Sequence, residues 1–495
     1  MSSTTILHTV AKYVRPELAH APHAVLDGRR RIPCGWGAFA VLPEEASETA
    51  RLSWPASGPG DRASRLRVTV ASDDRERKQL RVALAGDGRT LGTVDIRYGT
   101  VFQPFELALS AEQTAAAIAQ GLALSLSEGM SPLWLLYDPE PRSTGHTVLL
   151  PHLLIEPDAE AEPEDRLGAF FKRVASLASV QQFGWMEGCV LEGLEAIANS
   201  PANPARAQRA AAAVQAHLAL FFPGSQMVYE DPRGNVADGA FHTIEATLMA
   251  APLARHRPEH PAIELALQFW NQRRNGRDVI ADGQTVSAEG NLTVAYPISV
   301  LARLRQDRRL ARLAAAQLLG RQRRLRVGDD LYLRHDAADD SRSYRNWARG
   351  VAWYLLGLTR TIIELDDWTH AGSMEPFKDE CRVVGEWAIR RQREDGLWDC
   401  FLHRPETEVE TSGSAGIAAA LALADRHGFG PEGGEAAAWR AFEQLQIHLT
   451  PDGLLGGASQ SNKPEGGEAL QRSGYRTVSQ AGMGLMAQLA VALGR

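Results

Sequence analysis

Two glutamates stand where the surrounding residues would make a carboxyl chemically useful. Glu245 lies in FHTIEATLM, near the N-terminal end of an otherwise apolar stretch. A carboxylate there must be paired, protonated or turned to an aqueous cavity. Burial raises such a pKa and suits a general acid near neutral pH. Glu289, in SAEGN just ahead of the next apolar stretch, is the candidate second carboxylate. A structural hydrogen-bonding role is the alternative for each. Glu410 in ETSGS reads either as a further site carboxylate or as the cap of its own helix, since acidic residues favour helix N-termini. Glu187, two residues after Trp185, is a candidate for the cavity wall.

The candidate substrate contacts are aromatic and basic. Trp185, Trp347, Trp353 and Trp398 fall at or beside helix starts. Indole faces stack on the C–H faces of sugar rings, and the competing reading is that these side chains are core. Arg349 in NWARGVAW opens a helix, where a guanidinium can fork onto a substrate carboxylate or pair with a loop acid. Tyr296, His242 and His335 complete the set. With His403, the histidines show no metal-ligand spacing, so neither a metal nor a cofactor is expected. Competing motifs are missing: no GxSxG elbow, HExxH or Walker loop occurs, and CGWGAFA (34–40) lacks the third glycine of a dinucleotide fingerprint.

Two kinds of element must position these residues. Up to about residue 160, short stretches such as LRVTVAS (66–72), QLRVALAG (79–86), GTVDIRYG (92–99) and HTVLLPHLLIEP (146–157) predict antiparallel strands. AEQTAAAIAQGLALSL (111–126) is helix-like, with a second half that reads equally as strand. An acid- and Pro-rich segment, EPDAEAEPED (156–165), predicts a linker. The expected domains are an N-terminal antiparallel β-sandwich over 1–160 and an (α/α)6 toroid over 161–495.

The toroid follows from two alternating kinds of helix. Six stretches are apolar nearly all round: 185–198, 242–254, 294–304, 350–365, 412–424 and 477–493. Others, such as 307–325 and 375–394, carry a charged face, and 165–179 supplies a sixth outer member. A helix apolar all round is buried on every side, and an amphipathic one covers it. Connections from outer to inner helices (223–241, 274–293, 326–349, 395–411, 450–476) are long, so function is expected in them. Four carry Asp-Gly pairs, which turn chemistry explains equally well.

Composition narrows the function classes. Of 495 residues, 44% are hydrophobic, which suits a folded protein with a large core. The net charge of −7 argues against nucleic acid or an anionic membrane as partner. The four scattered cysteines and the lack of a signal-like start predict a cytoplasmic protein without disulfides.

QREDGLWDCFLHRPETEVETSGSAG (392–416) resembles the DGLW…ETSGSA signature of glycoside hydrolase families 88 and 105, the unsaturated uronyl hydrolases. NWARGVAW resembles their WGRGNGW motif, with Val351 and Ala352 in place of Asn and Gly, and FGWMEGCVLEGL resembles their first inner helix. The resemblance covers roughly 165–495 and implies an (α/α)6 barrel acting on a terminal uronic acid. Glu245 matches the position of a family Asp; the second family Asp has no counterpart, and only Glu289 is near. The N-terminal part lies outside the family plan, which also implies a neighbouring glucuronidase family.

The expected activity is therefore removal of a non-reducing terminal uronic acid, saturated or 4,5-unsaturated, from an oligosaccharide. Glu245 and Glu289 would be catalytic, and Arg349 would hold the sugar carboxylate. A sugar epimerase using His242 and His335, and a non-catalytic carbohydrate-binding protein, are the alternatives. The N-terminal domain would buttress the barrel or mediate a homodimer.

Overall fold

The computed structural model describes residues 12–46, 48–55, 62–141, 143–156, 163–231, 233–274, 279–368, 373–462 and 464–495. Most of the expected linker (157–162) therefore lies outside the described residues, as does the start of the chain. The chain divides into two compact units. Unit 1 comprises Met1–Gln182 with Glu230–Val236 and Leu449–Leu454; unit 2 comprises the remainder.

Unit 1 is built on two larger antiparallel sheets, with a two-stranded one formed by Ala38–Val41 and Leu133–Leu136. One has four strands in the order Lys12–Val14, His152–Ile155, Ser64–Thr69, Pro104–Leu109. The other has five, in the order Glu17–His20, Ala50–Ser53, Leu122–Glu128, Arg77–Leu84, Thr90–Arg97. Alternate side chains of both sheets, including Leu66, Val68, Leu80, Val82 and Leu124, meet in one apolar cluster. Helix α1 (Ala111–Gln120) opens on a Ser110/Gln113 capping box, and the chain turns at Gly121 into the strand Leu122–Glu128. The 111–126 stretch is thus half helix and half strand.

The expected strand over 146–157 needs correcting. Ser143 caps a short helix, α2 (Thr144–Leu149), and the strand begins only at His152, after Pro151. Helix α3 (Pro163–Val174), read from the sequence as an outer helix of the toroid, falls in unit 1.

A buried ionic cluster also belongs to unit 1. Arg67 forks onto Asp452, with Nη1 at 2.6 Å from Oδ2 and Nη2 at 2.8 Å from Oδ1, and both side chains are fully buried. The Tyr13 hydroxyl donates to Asp452 at 2.7 Å, and Glu106 takes the other edge of Arg67.

Unit 2 is helical. Its inner helices are α4 (Trp185–Ala198), α6 (Ala250–His256), α8 (Tyr296–Arg305), α10 (Ala348–Leu365), α12 (Thr411–Arg426) and α15 (Gln480–Ala492). Each packs on the next, and α15 packs back on α4, so the six close into a ring. Five amphipathic helices cover it among the described residues: α5 (Pro204–Phe221), α7 (Ala262–Arg274), α9 (Arg308–Leu325), α11 (Glu375–Ile389) and α13 (Gly434–Ile447). A short α14 (Gly467–Arg472) lies in the last long connection. Among the described residues no helix is long and apolar enough to cross a membrane.

Two inner helices do not start as regular α-helix. A 3-10 turn over Ile244–Met249 precedes α6, and a π turn over Asn291–Ala295 precedes α8. The 326–349 connection, expected as loop, is a twisted hairpin. Strand Asp330–Asp336 pairs with Thr285–Ser287 on one side and Arg342–Arg345 on the other.

Candidate active site

Both irregular helix starts carry a glutamate, and the fold brings the two together. Glu245 lies in the 3-10 turn and Glu289 two residues before the π turn, near enough for the charge of one carboxyl to act on the other. Such breaks in a helix are frequent at functional sites, because they re-aim side chains that a regular helix would space by turns. Glu289 is nearly buried and accepts from Ser287 Oγ at 3.2 Å.

Burial, then the charge of Glu289, pushes the Glu245 carboxyl up to about 8. Arg334 opposes this and Asp282 adds to it. Two neighbouring carboxyls cannot both ionise cheaply, so Glu245 keeps its proton around neutral pH.

Three further groups complete the site. Asp282, from the Asp282-Gly283 turn, accepts the Ile244 N–H on both oxygens, at 3.2 and 3.1 Å, and so pins the turn that carries Glu245. Burial raises the Asp282 pKa above the usual Asp value, with that backbone N–H opposing. Arg334 lies cross-strand from Ser287 and stacks on the Tyr344 ring, 5.5 Å from its centroid. It is half-buried and has no carboxylate within ion-pair distance among the described residues. Tyr344 is held in the left-handed region (φ 56) by Glu468, which accepts its N–H, and by Asn462, which accepts its hydroxyl at 2.6 Å. A bulky residue at positive φ costs energy that the surrounding contacts must supply.

Gly184 brings an aromatic wall alongside. It sits at φ 113, and a Cβ there would press on Glu245 O at 3.2 Å and Ala246 Cα at 3.3 Å. That close approach starts α4 beside Glu245 with Trp185, which remains partly exposed and packs on Trp353 with ring centroids 5.0 Å apart. Trp353 itself is buried behind it.

Several expected contacts are elsewhere engaged. Arg349 does not present its fork to a ligand: Nη1 binds Ser459 O at 2.7 Å and Ser459 Oγ at 2.9 Å, and Nη2 binds Gln460 O at 2.7 Å. Its guanidinium covers Trp347, which is buried beneath it. Glu410 is fully buried as the cap of α12, accepting from Gly413 N and, at 2.9 Å, from Ser459 N. It thereby ties two chain segments and reaches Arg349 at 3.4 Å. Trp398 is core, with Nε1 donating to Ala388 O at 2.8 Å.

Glu187 is also buried, 2.7 Å from His217 Nδ1 on the outer helix α5. Tyr296 belongs to a separate ionic network, donating to Glu192 at 2.5 Å and accepting from Arg255 at 2.6 Å and Arg360 at 3.1 Å. His335 points to the opposite strand face from Arg334, with Nε2 2.6 Å from Asp340. His242 is exposed, and its carbonyl accepts from Arg273 at 2.8 Å. For Glu187, Tyr296, Trp398 and Glu410 a protein partner already fills the bonds that a ligand would use.

Sequence reasoning missed Arg334, Tyr344 and the capping role of Asp282. A signal for Arg334 was present: Leu331, Leu333 and His335 alternate with Tyr332 and Arg334, the period of a strand. Among the described residues, no cluster of three or more His, Cys, Asp or Glu is arranged to hold a metal ion.

Residues 326–493 match the family model of Glycosyl Hydrolase Family 88. This span includes Arg334, Tyr344 and Arg349 but begins after Glu245 and Glu289. None of the curated proteins matches the chain. Among solved structures, a possible member of family GH105 from Salmonella enterica serovar Paratyphi A is similar at TM-score 0.55 and 16% identity, over 69% of this chain and 96% of that one. A possible GH105 member from Klebsiella pneumoniae is similar at TM-score 0.53 and 14% identity, over 74% and 98%. A family 105 glycoside hydrolase from C. acetobutylicum has TM-score 0.53 and 16% identity, over 67% and 98%. At these identities the likeness is one of fold, the α/α toroid. Taken with the family-88 match over the segment that builds the hairpin, α10, α12 and α15, it makes the chain a family 88/105-like glycoside hydrolase.

Proposed function

We propose that the protein removes a 4,5-unsaturated uronic acid from the non-reducing end of an oligosaccharide. The observation that carries this reading is the placement of Glu245 and Glu289 together at the two irregular helix starts, where burial and the charge of Glu289 keep Glu245 protonated near neutral pH. Glycosidases that cleave a saturated glycoside place their two carboxyls about 5 to 9 Å apart, with the sugar or a water between them. Glu245 and Glu289 act on each other directly, the charge of Glu289 helping to keep Glu245 protonated. They hold one proton ready, which is what an enol ether needs.

In this reading the Glu245 proton is transferred to C4 of the C4=C5 bond, and positive charge develops at C5, shared with the ring oxygen. Water adds at C5, losing its proton to the carboxyl pair, which is thereby restored. The resulting hemiketal opens at the C5–ring-oxygen bond to a ketone, and the hemiacetal left at C1 releases the rest of the oligosaccharide as an alcohol. Arg334 takes the sugar carboxylate, the one half-buried cation beside the pair whose fork is uncommitted among the described residues. Trp185, backed by Trp353, stacks on the ring.

The epimerase alternative loses support because His335 is committed to Asp340 and His242 lies exposed, so the two do not form a pair of proton carriers. Within the same reading, unit 1 is a β-sandwich that buttresses the (α/α)6 barrel or mediates dimerisation, with the domain boundary near residue 160. The protein works in the cytoplasm.

Arg334→Met tests the reading. On an unsaturated uronyl disaccharide, KM rises roughly 10- to 100-fold, the worth of a charged hydrogen bond, and kcat changes less. An unchanged KM would remove Arg334 from carboxylate binding. Failure of the wild type to consume the conjugated double bond, read by its ultraviolet absorbance, would defeat the assignment itself.

A further inference from the structure

Arg321 is a fully buried cation on the outer helix α9, and among the described residues it has no carboxylate within ion-pair distance. A charge taken out of water this way is costly unless its surroundings use it. Its hydrogen bonds show where it is used. Nε donates to Ser287 O at 3.0 Å and Nη2 to Ile280 O at 2.6 Å. Nη1 donates to Gln317 Oε1 at 3.1 Å, and the same Oε1 accepts the Ile280 N–H at 2.8 Å.

The two carbonyls it binds outside its own helix each lie two residues before a carboxyl of the site. Ile280 leads to Asp282 and Ser287 to Glu289; Asp282 in turn pins the turn of Glu245. The guanidinium also fills the space under Gly290, where a Cβ would lie 1.9 Å from Nη2. Glycine is required there because the cation sits directly beneath the Glu289–Gly290 peptide.

We propose that Arg321 is the positioning residue of this site, fixing the two segments that carry Asp282 and Glu289 and supplying the buried positive charge beneath them. The proposal rests on the Glu245–Glu289 reading for its catalytic consequence, but not for its electrostatic one. Burial, and then Arg324, lowers the Arg321 pKa to about 9, so it stays charged at neutral pH. Asp282 is the carboxylate that favours its charge, and Arg321 acts back on Asp282 together with Arg273, Glu289 and the Ile244 N–H.

The test uses the full chain with Arg321→Gln, Arg321→Lys and Gln317→Glu. Gln317→Glu keeps the shape of the site but sets a compensating negative charge against the guanidinium, so it decides the matter if Arg321→Gln does not fold. One readout is turnover of the unsaturated disaccharide; the other is titration of Asp282 by NMR with 13C-labelled aspartate, which needs no substrate. In Arg321→Gln and Gln317→Glu the Asp282 midpoint moves up by about half a unit or more. Arg321→Lys keeps the midpoint near the wild type. In both Arg321 variants kcat falls about 100-fold with KM little changed, the cost of a misplaced catalytic group.

An unmoved Asp282 midpoint in both Arg321→Gln and Gln317→Glu, or an unaltered kcat in folded Arg321 variants, overturns the proposal. A wild type inactive on unsaturated uronides would defeat the proposed reaction, and the Asp282 titration would still decide the role of Arg321.

Discussion

Glu245→Gln lowers kcat on an unsaturated uronyl substrate about 1,000-fold, and the variant is folded. The loss is large because the substituted amide has no acidic proton to give to C4, while it keeps the size and shape of the carboxyl it replaces. Stability should move in the opposite direction. The Glu245 pKa is raised in the folded chain, so the folded state binds more protons than the unfolded one between the usual Glu value and about 8. Stability contributed by the protonated form is therefore complete at low pH and is lost as pH rises through that window. Glutamine carries no such penalty. In urea unfolding the variant gains on the wild type between about pH 5 and pH 8. Near-normal turnover in Glu245→Gln would take Glu245 out of the acid role.

The largest stability loss is expected from Asp452→Ala in unit 1. Its carboxylate is fully buried and is shared by Arg67, Tyr13 and Thr450, with Arg173 at 3.9 Å. Despite burial, Arg67 holds it well below the usual Asp range. Removing it leaves the buried Arg67 with Glu106 as its remaining partner, which costs about 3 kcal/mol. Because the folded pKa is depressed, this stabilisation is present above the usual Asp pKa and is lost as pH falls toward the folded value. The urea unfolding midpoint of the variant therefore lies at lower denaturant than that of the wild type at neutral pH. Arg67→Met combined with Asp452→Ala loses less than the sum of the two singles, since no buried charge is then orphaned. Additive losses would mean that the pair is not coupled.

The helical half was legible because burial leaves a mark on composition. WMEGCVLEGLEAIA is apolar or small nearly all round and is the whole of α4, while DRRLARLAAAQLLGRQRRL shows its charged face and becomes α9. The irregular starts at 244–249 and 291–295 were not legible. A 3-10 or π turn is a local change of hydrogen-bond partner, fixed here by Asp282 and by packing against other helices, and it leaves the apolar pattern unchanged.

The site shows the same division. Glu245 stood out because a carboxyl among apolar neighbours has few explanations, and Glu289 because it preceded the next apolar stretch. Arg349 and Arg334 could not be ranked from the chain alone. Arg349 opens a helix and Arg334 lies in a strand, and only distance separates the one held by Ser459 and Gln460 from the one stacked on Tyr344. Glu410 shows why a motif is not a contact: ETSGS supplies a helix cap, and the cap is the carboxylate.

The central claim is that the carboxyl pair delivers a single proton to carbon. It is tested most directly by running the reaction in D2O with paired substrates, an unsaturated uronyl disaccharide and its saturated β-glucuronide counterpart, and analysing the released sugars by NMR. The account predicts that only the unsaturated substrate is consumed and that its product carries deuterium at C4. Release of free glucuronic acid from the saturated substrate, or an unsaturated product without deuterium at C4, would contradict it.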